Sequence, residues 1–179
     1  MLRYTLCLTL VALGGCGSLV PDPEKNPDPQ PKAKGHAVAL PEGKKLMLPT
    51  EPAGVKGVIA IRKEAKDGDE VIVAGQVGGS TKPFTEGRAG FLIVDPSLKP
   101  TAECESPWDF CEYPTKEVAA ARLSVKFVDA DGKTIGTGAR ELFGIAELSQ
   151  VVVKGKVHRD DKDNIVVVAS GIYVRPEGK

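Results

Sequence analysis

The chain has 179 residues with 24 basic and 24 acidic side chains, so no net charge draws it toward polyanions. Aromatic residues make up 5% of it, which leaves few stacking platforms for bases or sugars. Its 14 prolines and 20 glycines suit one compact domain joined to an extended segment.

Met1-Leu2-Arg3 gives a short positive start, and Tyr4 to Leu13 (YTLCLTLVAL) gives an uncharged apolar run. That run is well short of the roughly 20 residues a permanent membrane helix needs, and small residues follow it, so it reads as a cleaved export signal over residues 1–15. Leu13-Gly14-Gly15-Cys16 is an aliphatic residue, two small residues and a cysteine. This resembles the lipobox of bacterial lipoproteins. The resemblance implies cleavage before Cys16, diacylation of its sulfur and stable anchoring once more than one acyl chain is attached. It also implies an extracytoplasmic place in the bacterial cell envelope. With Gly17 rather than Asp after the cysteine, the expectation is the outer membrane, facing the periplasm. Cys7 falls in the discarded segment.

From Pro21 the sequence PDPEKNPDPQPKAKG holds five prolines in fifteen residues, mixed charges and no apolar period. Such a segment cannot bury a core and reads as a disordered tether. Taken with LPEGKKLMLPTEP, the linker is expected to run over 16–54, reaching about 100 Å if fully extended at ~3.1 Å per residue. Lys44-Lys45 reads as a solvated part of it.

The domain is expected over 55–175, with a tail at 176–179. Val55, Val58, Ile59 and Arg62 recur at helical spacing, with Thr50 or Glu51 ahead and Pro52 near the first turn, although the β-branched content keeps a strand open. Asp67-Gly68-Asp69 is a turn. Glu70 to Val77 (EVIVAGQV) has strand composition, with Gly75 marking a bulge or strong bend. After the loop Gly78 to Arg88, Gly90 to Asp95 (GFLIVD) is apolar on both faces and reads as a well-buried strand. Arg122 to Val128 (RLSVKFV) alternates, with Leu123, Val125 and Phe127 on one side and Arg122, Ser124 and Lys126 on the other. Asp129-Ala130-Asp131-Gly132 turns the chain into 133–138, and a short helical or irregular piece spans 140–148. Val151 to Val157 and Ile165 to Tyr173 then form a hairpin across HRDDKDN.

Five strands with a connector between the third and fourth, closed by a hairpin, follow the OB-fold order. The fold class expected is all-β with a minor helix: a five-stranded OB-like Greek-key barrel after a short helix. The short helix, the D-G-D turn and strands such as VIVAGQV, VVVKGKV and VVVASGIYV resemble periplasmic bacterial OB-fold proteins. Other OB proteins bind nucleic acids or oligosaccharides through strands two and three and the adjoining loops. Here strand three offers Arg122, Ser124 and Lys126 with no aromatic. From Val55 to Lys179 there are 18 basic and 19 acidic residues, no excess to neutralise phosphates. This argues against nucleic acid as a partner.

Ala102 to Pro114 (AECESPWDFCEYP) frames Pro107-Trp108-Asp109-Phe110 between Cys104 and Cys111. In an exported chain this spacing reads as a disulfide that fixes where Trp108 points. Trp108, Phe110 and Tyr113, joined by Phe84, Arg88, Arg122 and Lys126, are the candidate contact surface, the alternative being that the first three cover one end of the barrel. No metal or cofactor motif is present: C-x-x-C is missing, and His36 and His158 are the only histidines. The acidic runs at Asp129 and Asp160 lack the distal glutamate of a calcium loop and suit turns. No G-x-S-x-G, phosphate loop or histidine-paired nucleophile occurs. The expectation is therefore a membrane-anchored binding or interaction module without chemistry of its own. Its partners would be the membrane, through the lipid, and an envelope protein or soluble ligand. The rivals are an envelope assembly lipoprotein and an enzyme built from scattered carboxylates.

Overall fold

The computed structural model describes residues 38–160 and 164–176. The lipobox, Cys16, Gly17, His36, most of the tether and the end of the tail lie outside the described residues. In chain order the elements are α1 (Pro41–Lys44), β1 (Lys56–Gly57), α2 (Val58–Glu64), β2 (Glu70–Val77) and β3 (Gly90–Val94). A 3-10 turn at Pro107–Asp109, α3 (Thr115–Ala120), β4 (Arg122–Phe127), α4 (Ala139–Phe143), β5 (Gln150–Arg159) and β6 (Ile165–Val174) follow.

The five long strands close into a barrel in the order β2-β3-β4-β6-β5, and β5 returns to β2. Every neighbouring pair is antiparallel except β4 with β6. Counted along the chain this is 1-2-3-5-4, the OB arrangement expected. The all-β class with minor helix is therefore what the chain adopts. Alternation sets the faces: along β4, Leu123, Val125 and Phe127 are buried while Arg122, Ser124 and Lys126 are half-buried. The interior is filled by side chains such as Val73, Phe91, Ile93, Phe127, Val153, Val167 and Ile172. Each stabilises the fold by roughly 1.5–3 kcal/mol on the area scale.

Gly75 makes no bulge. The β2–β5 ladder keeps its register from Glu70 to Gln76. A Cβ at Gly75 would sit 2.8 Å from the Ile93 Cβ and 3.0 Å from the Val94 carbonyl oxygen, so glycine is required where β2 crosses β3. The register shift lies between Lys154 and Gly155, which face Gly171 and Ala169, so the extra residue is Ser170 of β6.

The folded part begins well before Val55. Gly43 of α1 packs so tightly that a Cβ would overlap the Leu142 carbonyl of α4. Leu40 N–H donates to the Glu141 carbonyl, and Leu46 and Leu48 exchange backbone hydrogen bonds with Ile172 of β6 (2.9 and 2.7 Å). Leu46 and Met47 pack on the core, so Pro41 to Leu48 is a strap on the barrel rather than linker. Three apolar residues between Lys45 and Pro49 were too few to give a readable period. The expected turns do hold: Asp129 Oδ1 accepts from the Asp131 and Lys133 N–H groups, and Asp160 Oδ1 from that of Asn164.

Helix α2 starts at Val58, later than Pro52 suggested, and its N-cap Gly57 has no side chain to offer. Asp95, just past β3, supplies what is missing. It is buried, and its carboxylate accepts from the Ile59 N–H (2.9 Å) and from the Ser97 N–H (3.0 Å). A Cβ at Gly57 would meet Asp95 Oδ2 at 2.5 Å, so the glycine admits the carboxylate. Burial pushes the Asp95 pKa up, but the N–H donors of Ile59, Ser97 and Val58 outweigh it and hold the carboxyl below its ordinary range. A depressed carboxylate stabilises the fold above the ordinary aspartate range, and that contribution is lost as pH falls through the folded value. Asp95→Ala is therefore expected to lower unfolding free energy by about 1–2 kcal/mol at neutral pH. Denaturant melts across acidic pH should show the gap to the parent narrowing as pH falls; a constant gap would refute the capping role.

Candidate functional site

The segment between β3 and β4 leaves the barrel and packs back on its outside. Val94, whose side chain points away from the interior, forms a second apolar cluster with Leu98, Phe110, Val118 and Ala121, flanked by Ile59, Tyr113 and Leu148. Phe110 is the centre of it, 0% exposed. Its backbone is left-handed, with φ of 60°. A non-glycine residue adopts that conformation at a cost of roughly 1–2 kcal/mol, which burial of the ring offsets. Phe110 is thus core rather than a contact residue. Tyr113 is half-buried beside it, with ring centroids 6.4 Å apart, and its hydroxyl oxygen accepts from the Lys99 N–H.

Cys104 and Cys111 are disulfide-bonded, Cα to Cα 5.9 Å, as the spacing suggested. Cys104 is 5% exposed while Cys111 faces solvent. The Asp109 carboxylate and both sulfurs lie within 4.8 Å of one another, but the two sulfurs are bonded to each other and offer no thiolate. The closed loop presents Trp108 against the β2–β3 connection. Gly79 N–H donates to the Trp108 carbonyl (2.7 Å), and Trp108 Nε1 donates to the Thr81 carbonyl (3.1 Å). Arg122 Nη1 donates to the Gly79 carbonyl at 2.6 Å, so the first residue of β4 braces the same loop from below. Gly79, with φ of 85° and Val94 and Arg122 against it, leaves no room for a side chain.

The structure therefore divides the expected contact surface. Trp108 and Arg122 meet through Gly79. Phe84 goes elsewhere: it bridges to Phe91, with ring centroids 6.2 Å apart, and carries the Arg140 guanidinium 4.0 Å above its ring. Arg140 is held by two hydrogen bonds to Glu147, one of 2.7 Å. Burial would raise the Glu147 pKa, yet the Arg140 hydrogen bonds keep it below the usual range. Arg88 is exposed on a turn, its N–H bonded to the Thr85 carbonyl. Lys126 lies mid-face on the barrel exterior, its pairing partners being Gly90 on β3 and Val168 on β6.

Sequence reasoning missed Asp95, although Asp95-Pro96-Ser97 carries the signature of a side chain bonding two residues on. Arg140–Glu147 and the clasp of Arg159 on the Ala65 and Arg62 carbonyls have no local signal, because topology alone brings those residues together. A groove of about 330 Å³ opens between α2, α3 and the starts of β4 and β6, lined by Arg62, Ala119, Arg122, Ser124 and Asn164. Among the described residues no helix is long and apolar enough to cross a membrane.

No family model matches this chain, and no curated protein matches it. Among solved structures, it is similar to OBody AM1L10 in its complex with hen egg-white lysozyme, at 17% identity and a TM-score of 0.40, covering 72% of this chain and 98% of that one. It is also similar to an aspartyl-tRNA synthetase from Leishmania major Friedlin, at 11% identity and a TM-score of 0.38, covering 79% of this chain and 24% of that one.

The disulfide closes a loop with a sequence separation of 7, which by the chain-entropy relation constrains the unfolded chain by about 2.5 kcal/mol. Reduction, or Cys104→Ser with Cys111→Ser, is expected to lower unfolding free energy by that order and to quicken exchange of the Gly79 N–H. Hydrogen exchange followed by mass spectrometry checks both; an unchanged β2–β3 loop would show that the disulfide does not hold the clamp.

Proposed function

We propose that this protein is a lipid-anchored, extracytoplasmic binding module whose working surface is the barrel exterior. The observation that carries the reading is the disulfide-closed Trp108 loop clamped on the β2–β3 connection. A persistent disulfide belongs to compartments where thiols are oxidised, which supports the export expected from Leu13-Gly14-Gly15-Cys16. A loop held in advance by backbone hydrogen bonds loses little freedom when a partner docks, which suits binding.

The filled interior supports an external site as well. Val73, Ile93, Val153 and Val167 leave the barrel without a central chamber, so a ligand meets outward-facing side chains. On β4 these are Arg122, Ser124 and Lys126, beside Leu92 of β3. With no aromatic in that set, base or sugar stacking has no platform, and a protein partner is the better fit.

Metabolic labelling with palmitate tests the anchor. The parent chain should take up label and sediment with membranes, and Cys16→Ala should lose both. Label retained by Cys16→Ala, or a parent chain recovered entirely in the soluble fraction, would refute the lipid anchor.

A further inference from the structure

The insertion between β3 and β4 covers one side of the barrel and leaves another bare. Its apolar cluster sits on the outer face of β3 at Val94. On the far side, Ser124 and Lys126 of β4, Val166 and Val168 of β6, and Lys154, Lys156 and His158 of β5 are half-buried or exposed. Their register lines them up in rows: Lys126 pairs with Val168, and Val168 with Lys156. In the next row Ser124 pairs with Val166, and Val166 with His158. Lys154 stands two residues before Lys156 on the same face. With strands ~4.8 Å apart, the Lys126 and Lys156 backbones flank Val168 about 10 Å from each other. The carboxylates bordering these rows are Glu70 of β2, opposite Lys156, and Asp67, 3.1 Å from His158 Nδ1.

We infer that this face of β4, β6 and β5 docks an acidic, apolar-containing segment of a protein partner, an inference that rests on the binding-module reading above and specifies its partner. Three lysines around two half-buried valines, in a chain without net charge, form a local excess of positive charge over an apolar centre. Lysines act as separate point charges that suit dispersed carboxylates. The two rows carry no arginine to grip phosphate in two-point fashion and no Phe, Tyr or Trp to stack a base or sugar: Arg122, two residues along β4, is held on the Gly79 carbonyl, and Tyr173 lies at the other end of β6 opposite Val152. Carboxylates set about an apolar residue complement the Lys126-Val168-Lys156 row in both charge and character.

The test is a fluorescence-anisotropy titration of the full-length chain with a short labelled peptide of glutamates interspersed with valines. Saturable, salt-sensitive binding is expected, weakened at least about tenfold by Lys126→Glu with Lys156→Glu. Circular dichroism of that variant should match the parent, and Lys126→Arg with Lys156→Arg should restore binding. Replacing the peptide's valines by serines at the same charge should weaken it. The inference is overturned if the peptide fails to saturate a folded parent, if charge reversal changes nothing, if the serine peptide binds equally, or if vesicles of phosphatidylglycerol bind in the peptide's place. None of these outcomes touches the palmitate result, so the anchor and the docking face stand or fall separately.

Discussion

Closure of the sheet through the β2–β5 ladder is the constraint on which the rest of the molecule depends. Seven consecutive pairs, Glu70↔Lys156 to Gln76↔Gln150, join what would otherwise be two open edges. Closure brings inward-facing valines and phenylalanines from five strands into a common interior, and it removes the unpaired backbone that would invite edge-to-edge association. The ladder survives only because Gly75 lets β2 pass close against Ile93 of β3 while still pairing with Val151 of β5. A side chain at Gly75 would force β3 away and reopen the barrel.

Since the interior is spent on packing, polar chemistry is confined to the periphery, where it serves mainly as fastening. Asp95 caps α2, Arg122 braces Gly79, and Arg159 takes the carbonyls of Ala65 and Arg62 at the end of the helix. Among the described residues no buried side-chain nitrogen or oxygen lacks a partner. Polar groups consumed in this way cost little in desolvation and fix each connection to the barrel at a named atom. Arg122 shows the consequence for function: an outward cation on β4 is given over to holding a loop.

The barrel itself was legible because period-2 alternation survives tertiary context wherever one face is buried, as along Arg122 to Phe127. Cys104 and Cys111 were legible because so short a spacing leaves little geometric freedom. Phe110 stayed open between contact and cover for a physical reason: it is an aromatic in a polar, proline-bearing loop, and nothing local reveals that the loop folds back to bury it against Val94 and Leu98. The strap at Pro41 to Leu48 was hidden in the same way. Its partners, Leu142 and Ile172, lie about a hundred residues or more away in sequence, and its proline and two lysines match those of a tether.

The open reading of Phe110 and the hidden strap share a cause that bears on how a small barrel acquires a function. The strands supply a scaffold whose pattern is strong because every inward position is constrained. The segments between strands decide which outer surface remains available, and their pattern is weak because each answers to one or two distant contacts. Here the insertion seals β3 at Val94, and the strap occupies β6 at Ile172. What stays open is the middle of β4, β6 and β5, where Lys126, Val168 and Lys156 face outward in register. The location of that surface is set by coverage, not by any motif. Its character is set by the residues that alternation leaves outside, which fold recognition alone does not weigh.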